Sequence, residues 1–460
     1  MKRLPLFLLL ISAAVILTSC NNSGSGELVG VSRKTRPFFQ PDPFGMVFIP
    51  QGSFTMGVGD QDIAYAFVQE PKTVSVSAFF MDETEITNDE YRQFVYWVRD
   101  SIARRILGDI RPDEYLIQEN KKTGEIYDPP LINWSEDIEW SSSDQDIRDI
   151  LNDEMYIPEH ERYFRKKEID TRKLFYEYYW IDYQAAARKD WTQEANSENA
   201  AFANRPQGMR DRSVFVRKEV INVYPDTLSW IHDYTYSFND PLTKAYFWHP
   251  AYNFYPVVGV NWKQARAFCI WRTELMNSAM GRKKGDIEIV DFRLPTETEW
   301  EWAARGGYNN NPYPWGGPYT RNERGCFLAN FKPLRGNYID DGGLRTVIVA
   351  HYPPNDFGLY DMAGNVSEWT NSAYDPSSYN FTWDMNPNFT YNAKEDDPPA
   401  MKRKVIRGGS WKDIAYYLQV STRDYEYQDT AKSYIGFRCI LPYLGRNKDD
   451  NPSKASRVYN

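Results

Sequence analysis

The sequence predicts an α+β fold with little regular secondary structure, interrupted by a large, partly helical insertion. Three observations carry this. Residues 37–99 and 246–443 alternate short apolar runs with turns rich in Gly, Pro and Asn, which reads as brief strands joined by long loops. Only a few segments there hold helical spacing, and these begin with side chains able to cap a helix. Residues 100–245 change character, with much charge, Tyr and Trp and little Gly. The 460 residues are 42% hydrophobic and 25% charged, a globular balance. Aromatics reach 16%, with 33 Tyr and 15 Trp, which suits a loop-heavy fold cored by large flat side chains. A net charge of -9 without a long basic stripe argues against nucleic acid as a partner.

Residues 1–19 read as a secretory signal. Lys2 and Arg3 precede an apolar run from Leu4 to Leu17 that is too short to span a bilayer stably. Leu17-Thr18-Ser19-Cys20 matches the lipobox of bacterial lipoproteins, so Cys20 is the expected lipidation site and mature first residue. Residues 20–36 form a tether, opening with Asn21-Asn22-Ser23-Gly24-Ser25-Gly26. Asn21 is not aspartate, and no acidic cluster follows Cys20. The expectation is therefore the outer membrane, lipid-anchored on its periplasmic face.

The elements follow in order. Gly45–Pro50 is a strand, Gln51-Gly52 turns, and Ser53–Gly57 returns; Val74–Met81 is a further strand. Thr87–Glu90 caps a helix carrying Tyr91, Phe94 and Val95. In the insertion, 100–245, Ser141–Asp144 caps a helix through Leu151, and Glu161–Trp191 reads as a second helix. Asn261–Met276 is helical, and Pro295–Arg305 is helical with a Thr296/Glu299 capping box. Residues 444–460 are a polar tail. There is no internal repeat. His160, His232, His249 and His351 are scattered and build no metal site. Of 4 cysteines, Cys20 goes to lipid, which leaves an odd number; Cys326 reads as a buried small hydrophobe.

Both ends of the chain resemble the formylglycine-generating (sulfatase-modifying factor) family. The matching blocks are Met46–Pro50 with Gly52–Gly57, Met81–Asn88, Tyr255–Trp262, Arg293–Trp300 with Arg305-Gly306-Gly307, and Tyr313–Gly316. Further on come Asn355–Met362, Gly364–Trp369, Arg407–Trp411 and Gly436–Cys439. The resemblance implies one formylglycine-generating-enzyme-like, C-type-lectin-related domain. Active members use two cysteines soon after the Gly-Gly-Ser block to hold Cu(I). Those positions here are Asp413 and Leu418, beyond Ser410. The expectation is no enzyme, no catalytic residues and no copper. The resemblance also implies a Cys269–Cys439 disulfide. It implies structural calcium in two sites, one at Asn330, Phe331, Asp341 and Gly343, the other at Gly364, Asn365, Val366 and Glu368.

The lipobox, the insertion and Met81–Trp97 give a narrower resemblance, to gliding-motility lipoproteins of the GldK (PorK) kind. It implies a scaffold of the type IX secretion machinery that forms a ring with a GldN (PorN)-type periplasmic protein. Lipoproteins of the GldJ kind are the related alternative. Phe164, Phe175, Tyr178, Tyr179 and Trp180 are the candidate partner-binding residues, and deleting 105–240 is expected to spare the parent fold while abolishing assembly. A competing reading is a glycan- or peptide-binding module with a lectin-like cleft lined by Trp411, Tyr416 and Trp369. A third, an oxidase of protein cysteines, meets Asp413 and Leu418 where it needs thiols.

Overall fold

The computed structural model describes residues 40–58, 70–120, 124–140, 144–187, 215–237, 239–279 and 289–444. The signal, Cys20, the tether and the tail from residue 445 lie outside them. Among the described residues no helix is long and apolar enough to cross a membrane.

Small sheets and few helices make up the body. Strand β1 (Met46–Ile49) pairs antiparallel with β4 (Phe79–Asp82), whose other edge takes β13 (Ile440–Pro442). The two sequence ends of the domain therefore share one sheet. β2 (Gly52–Met56) pairs with β3 (Lys72–Val76) to form a second. The single strand expected over Val74–Met81 is thus two strands in different sheets. The chain is diverted at Ser77, whose N–H donates to Asn386 Oδ1 (2.8 Å) and whose hydroxyl accepts from Asn386 Nδ2 (3.0 Å).

The first helix, α1 (Asn88–Ile110), begins with the expected cap. Thr87 accepts from Glu90 N–H, and Glu90 reaches back to Thr87 N–H. It runs on past residue 99 without a break. There it meets α2 (Gln145–Met155), whose Ile147, Leu151 and Met155 pack on Ala103 and Leu107. Asp144 caps α2. The strand pair β5 (Leu116–Glu119) and β6 (Ile126–Ile132) lies between α1 and α2 in sequence.

The helix expected over Glu161–Trp191 does not form. Short turns lead into β7 (Phe175–Ile181), which pairs antiparallel with β8 (Val216–Asn222), and only Tyr183–Ala187 within that range is α-helical; residues 188–191 are outside the described set. The physical reason lies in the run Phe-Tyr-Glu-Tyr-Tyr-Trp-Ile. Aromatic and β-branched residues favour a pleated, half-buried surface, and the burial alternates with period two. Tyr178 and Trp180 both donate to Glu219 of β8. Tyr176 donates to Glu274 (3.1 Å) of α4 (Trp262–Ala279), so the hairpin lies on the central helix.

The largest core cluster forms around α1 and α4. Tyr91 stacks on Phe268 (5.6 Å), and its hydroxyl donates to the Val223 carbonyl (3.0 Å). Phe94, Trp271 and Phe437 pack in the same cluster, as do Leu174, Tyr176, Tyr178 and Val223 from the insertion. A short helix, α3 (Ser229–Asp233), follows β8. Helix α5 (Glu297–Arg305), with its predicted Thr296/Glu299 box, packs between β2 and a four-stranded sheet of order β11 (Asp424–Tyr427), β10 (Arg403–Arg407), β9 (Ser367–Ala373), β12 (Ile435–Gly436).

One buried base on β10 makes stability depend on pH. Lys404 donates to the Tyr391 carbonyl (2.7 Å) and sits 3.9 Å from the Trp262 ring centre. Burial, then the Arg266 charge, pull its pKa down from 10.5 to about 7, against the opposing pull of Glu219 and Asp429. Between those values the unfolded chain holds the proton and the folded chain does not. Stability contributed at this site therefore rises as pH rises. The denaturation midpoint is expected to climb from pH 7 to 9 with a slope approaching ~1.4 kcal/mol per pH unit from this group. Lys404→Met should flatten that slope in urea titrations.

Candidate functional site

The segment where the resembled family carries its two cysteines begins with Gly408 and Gly409, both at positive φ (92° and 67°). A side chain on Gly409 would come within 2.7 Å of the Tyr417 carbonyl oxygen, so glycine is required for the turn. This turn takes β10 into the loop at 410–420. Ser410 is fully buried; its N–H (3.0 Å) and its hydroxyl both donate to Asp413 Oδ2. Burial raises the Asp413 carboxyl above its usual range. Leu418 is fully buried in an apolar cluster with Tyr313, Ala329, Phe331 and Ala363. A carboxylate held by Ser410 and a packed leucine offer no pair of soft ligands.

The insertion closes this region from the other side. Trp230 of α3 stacks on Trp411 (5.7 Å, 23°), and Tyr234 lies 5.3 Å from it. Asp233 accepts from both the N–H (3.1 Å) and the hydroxyl (2.6 Å) of Ser433. Trp411 is left 4% exposed, and Trp369 is fully buried with its indole N–H on the Val260 carbonyl (3.0 Å). The lectin-like cleft expected from Trp411, Tyr416 and Trp369 is therefore filled: two of its three walls are core. Sequence reading missed Trp230 and Tyr234 because nothing local marks a residue that packs 181 positions away.

The two implied calcium sites differ in fit. In the first, Asp341 accepts from Phe331 N–H (2.6 Å) and Gly343 N–H (3.2 Å), and burial raises its carboxyl. Asn330 donates to the Arg345 carbonyl, yet its Oδ1 is buried without a partner. An orphan oxygen near a buried carboxylate suits a hard cation. In the second, Asn365 Oδ1 already accepts from Asn330 and Val347 N–H. Glu368 accepts from Arg438 through both oxygens and from Trp300 (2.8 Å). A carboxylate has about four acceptor positions, and Glu368 has used them, so this set does not fit a cation. Two further buried acids, missed although they lie inside matched blocks, adjoin it. Glu85 accepts from Asn365 (2.7 Å) and Val366 N–H, and burial raises it well above its usual range. Asp361 is pushed up to about 6, first by burial and also by the Glu368 charge. Among the described residues no three His, Cys, Asp or Glu side chains form a group able to hold a metal.

Cys269 and Cys439 meet in the core. Both are buried thiols with sulfurs 3.4 Å apart, in contact but not bonded in this structure. Cys326 is exposed, not buried; its N–H is held by Asn322 in a surface turn. The partner-binding candidates divide by strand face. Phe164, Phe175 and Tyr179 are exposed, whereas Tyr178 is 1% exposed and Trp180 is half-buried under Arg266, 3.9 Å away. The period-two alternation of β7 turns Tyr178 and Trp180 inward, which takes Tyr178 off the surface and leaves Trp180 partly covered.

The chain matches the sulfatase-modifying factor enzyme 1-like domain over residues 33–208 and 231–442, and it belongs to that family. It is 36% identical over 191 residues to the inactive C-alpha-formylglycine-generating enzyme 2 of Bos taurus, covering 40% of this chain and 50% of that protein. It is 25% identical over 408 residues to the formylglycine-generating enzyme of Bos taurus, covering 87% of this chain and 76% of that protein. The chain spans about half the length of the first curated relatives it matches. Among solved structures, PvdO from Pseudomonas aeruginosa aligns with a TM-score of 0.43 at 16% identity, covering 86% of this chain and 94% of that one.

Proposed function

We propose that this family member is a non-catalytic, lipid-anchored lipoprotein of the outer membrane, facing the periplasm. In this reading it is a scaffold of the type IX secretion and gliding-motility machinery, of the GldK (PorK) kind, that self-associates into a ring with a GldN (PorN)-type protein. A member of the GldJ kind would share the fold. The observation that supports a non-catalytic role is the loop after Gly409, where Asp413 is bonded to Ser410, Leu418 is core, and Trp230 caps Trp411. Membership of a family that includes an inactive paralogue agrees with it. A chain with no chemistry to protect can fill its cleft with its own insertion.

Extraction of the native protein from outer membranes in mild detergent tests this, with particle mass and composition as the readout. A megadalton particle containing one abundant periplasmic partner is the expected result. A monomer without a partner overturns the scaffold reading.

In the same reading two structural devices support the fold. A hard cation held by Asn330 and Asp341 would tie the loop between them. In the oxidising periplasm the Cys269 and Cys439 thiols would form a disulfide. That bridge closes a loop of 170 positions and is worth about 5 kcal/mol in the entropic account. Cys439→Ser is expected to lower stability by that order in oxidising buffer and by much less in reductant. Paired denaturant titrations read the difference, and equal losses in both buffers would rule out the bridge.

A further inference from the structure

A closed loop over residues 157–168 ends in two bare aromatic rings. Its stem is pinned: Ile157 N–H donates to the Glu168 carbonyl (3.0 Å), and Tyr156 bridges Ile169 beside it. Within the loop Arg162 Nε donates to the Ile157 carbonyl (2.7 Å), and the Lys167 amine lies 4.0 Å from the centre of the Tyr156 ring. At the tip Lys166 N–H closes a turn onto the Tyr163 carbonyl (3.1 Å). Phe164 and Arg165 stand there at positive φ (50° and 55°), and neither is glycine. A bulky residue in that region is an outlier, and two in succession are a backbone held under strain. What the strain secures is display. Among the described residues Tyr163 and Phe164 are 80% and 86% exposed, their rings edge to face at 4.4 Å. Compact loops with closed stems frequently carry function.

We propose that this tip is a membrane-contact loop whose rings enter an anionic phospholipid surface while the cations around them meet its headgroups. This deepens the lipoprotein reading, from which it takes the membrane. Charge and shape choose the occupant. Arg162, Arg165, Lys166 and Lys167 fall within six residues. Two acids beside them are engaged: Glu161 holds Arg172 (2.8 Å) and Glu168 holds Lys166 (2.7 Å). Across residues 159–173 six Lys and Arg outnumber four Asp and Glu, in a chain whose net charge is -9. An anionic surface is therefore attracted at this loop and repelled by the chain as a whole. Lys166 also lies 6.0 Å from the ring centre of Trp248, which is 54% exposed and brings a third ring to the patch. The loop and Trp248 sit inside unbroken described stretches, 144–187 and 239–279. Aromatic rings flanked by lysine and arginine are the composition that settles at a membrane interface. A peptide partner would need a groove with walls, and rings this bare have none.

Two or three rings and a few cations make a weak, reversible contact. Such a contact orients a chain that lipid already holds at the surface.

The test uses the mature chain, residues 20–460, in unacylated form, sedimented with vesicles. One set is phosphatidylethanolamine with phosphatidylglycerol, the other phosphatidylcholine alone. Binding to the first set is expected to exceed binding to the second and to weaken with added salt. Tyr163→Ser with Phe164→Ser is expected to lower the partition coefficient about tenfold, as is Arg165→Glu with Lys166→Glu, both with melts at the wild-type midpoint. Phe164→Gly gives a readout that a packed ring would not. It should weaken binding yet raise the denaturation midpoint, because glycine takes positive φ without strain. No binding, equal binding to both sets, binding undiminished by the serine pair, or a midpoint lowered by Phe164→Gly overturns the proposal. Binding to poly-glutamate but not to vesicles assigns the tip to an acidic polypeptide and overturns it too. Mass spectrometry of native Cys20 separates the two readings. An acylated Cys20 with vesicle binding indifferent to the variants defeats this loop alone, whereas an unmodified Cys20 defeats the lipoprotein reading whatever the vesicles show.

Discussion

Deleting residues 105–240 is expected to unfold the whole protein, contrary to what the sequence suggests for an insertion. The segment contributes Leu174, Tyr176, Tyr178 and Val223 to the main core cluster, beside Phe94, Phe268 and Trp271. It also supplies Trp230, which covers Trp411. Fully burying a large apolar side chain contributes ~1.5–3 kcal/mol. Five of them therefore account for about 10 kcal/mol, as much as the whole net stability of an ordinary domain. Tyr91 also loses the Val223 carbonyl that takes its hydroxyl proton. The deletion should give insoluble protein, and any soluble fraction should lack a cooperative melt. A smaller version, Trp230→Ala, is expected to cost ~3–5 kcal/mol in denaturant titrations. A deletion chain that melts cooperatively near the wild-type midpoint would show the insertion to be separable after all.

The second large effect is expected at Glu301. This fully buried acid of α5 pairs with Arg305 (2.6 Å) and with Arg407 of β10, and its Oε1 accepts from Gly57 N–H (2.9 Å). Nearby Glu297 holds Arg423 (2.6 Å) and lies 3.7 Å from Arg407. Three guanidinium groups thus share two carboxylates in the interior. Such a network has no spare negative charge, so Glu301→Gln leaves two buried cations short of a partner. Breaking a buried pair from one side costs ~3–5 kcal/mol. The expectation is a loss of that order, measured by urea unfolding. Adding Arg305→Met to Glu301→Gln should recover part of it, because the added change removes one of the stranded cations. No recovery in the double variant would mean that the loss came from packing rather than charge.

Several elements were legible because they rest on neighbours in sequence. Thr87 with Glu90 and Thr296 with Glu299 are capping boxes whose members lie three residues apart, and both helices start where those residues place them. Gly409 turns the chain because its own φ requires glycine. The dense family blocks pointed to the fold class, and the family match agrees. The run at 175–181 was misread because its aromatics also satisfy helical spacing at a few positions. Pairing with β8 decided for the strand.

By itself, then, the sequence determined the α+β family fold, the caps and turns, and the replacement of two cysteine positions by Asp413 and Leu418. Those are properties of residue type and short spacing. Only the tertiary structure decided that Trp230 closes over Trp411, that Tyr178 faces inward while Tyr179 faces out, that Glu368 is taken up by Arg438, and that Glu301 serves two arginines. Each of these except the Glu301–Arg305 pair depends on groups from separate elements of the chain meeting at a few ångströms. Burial then sets what each contact is worth, and no local pattern encodes burial.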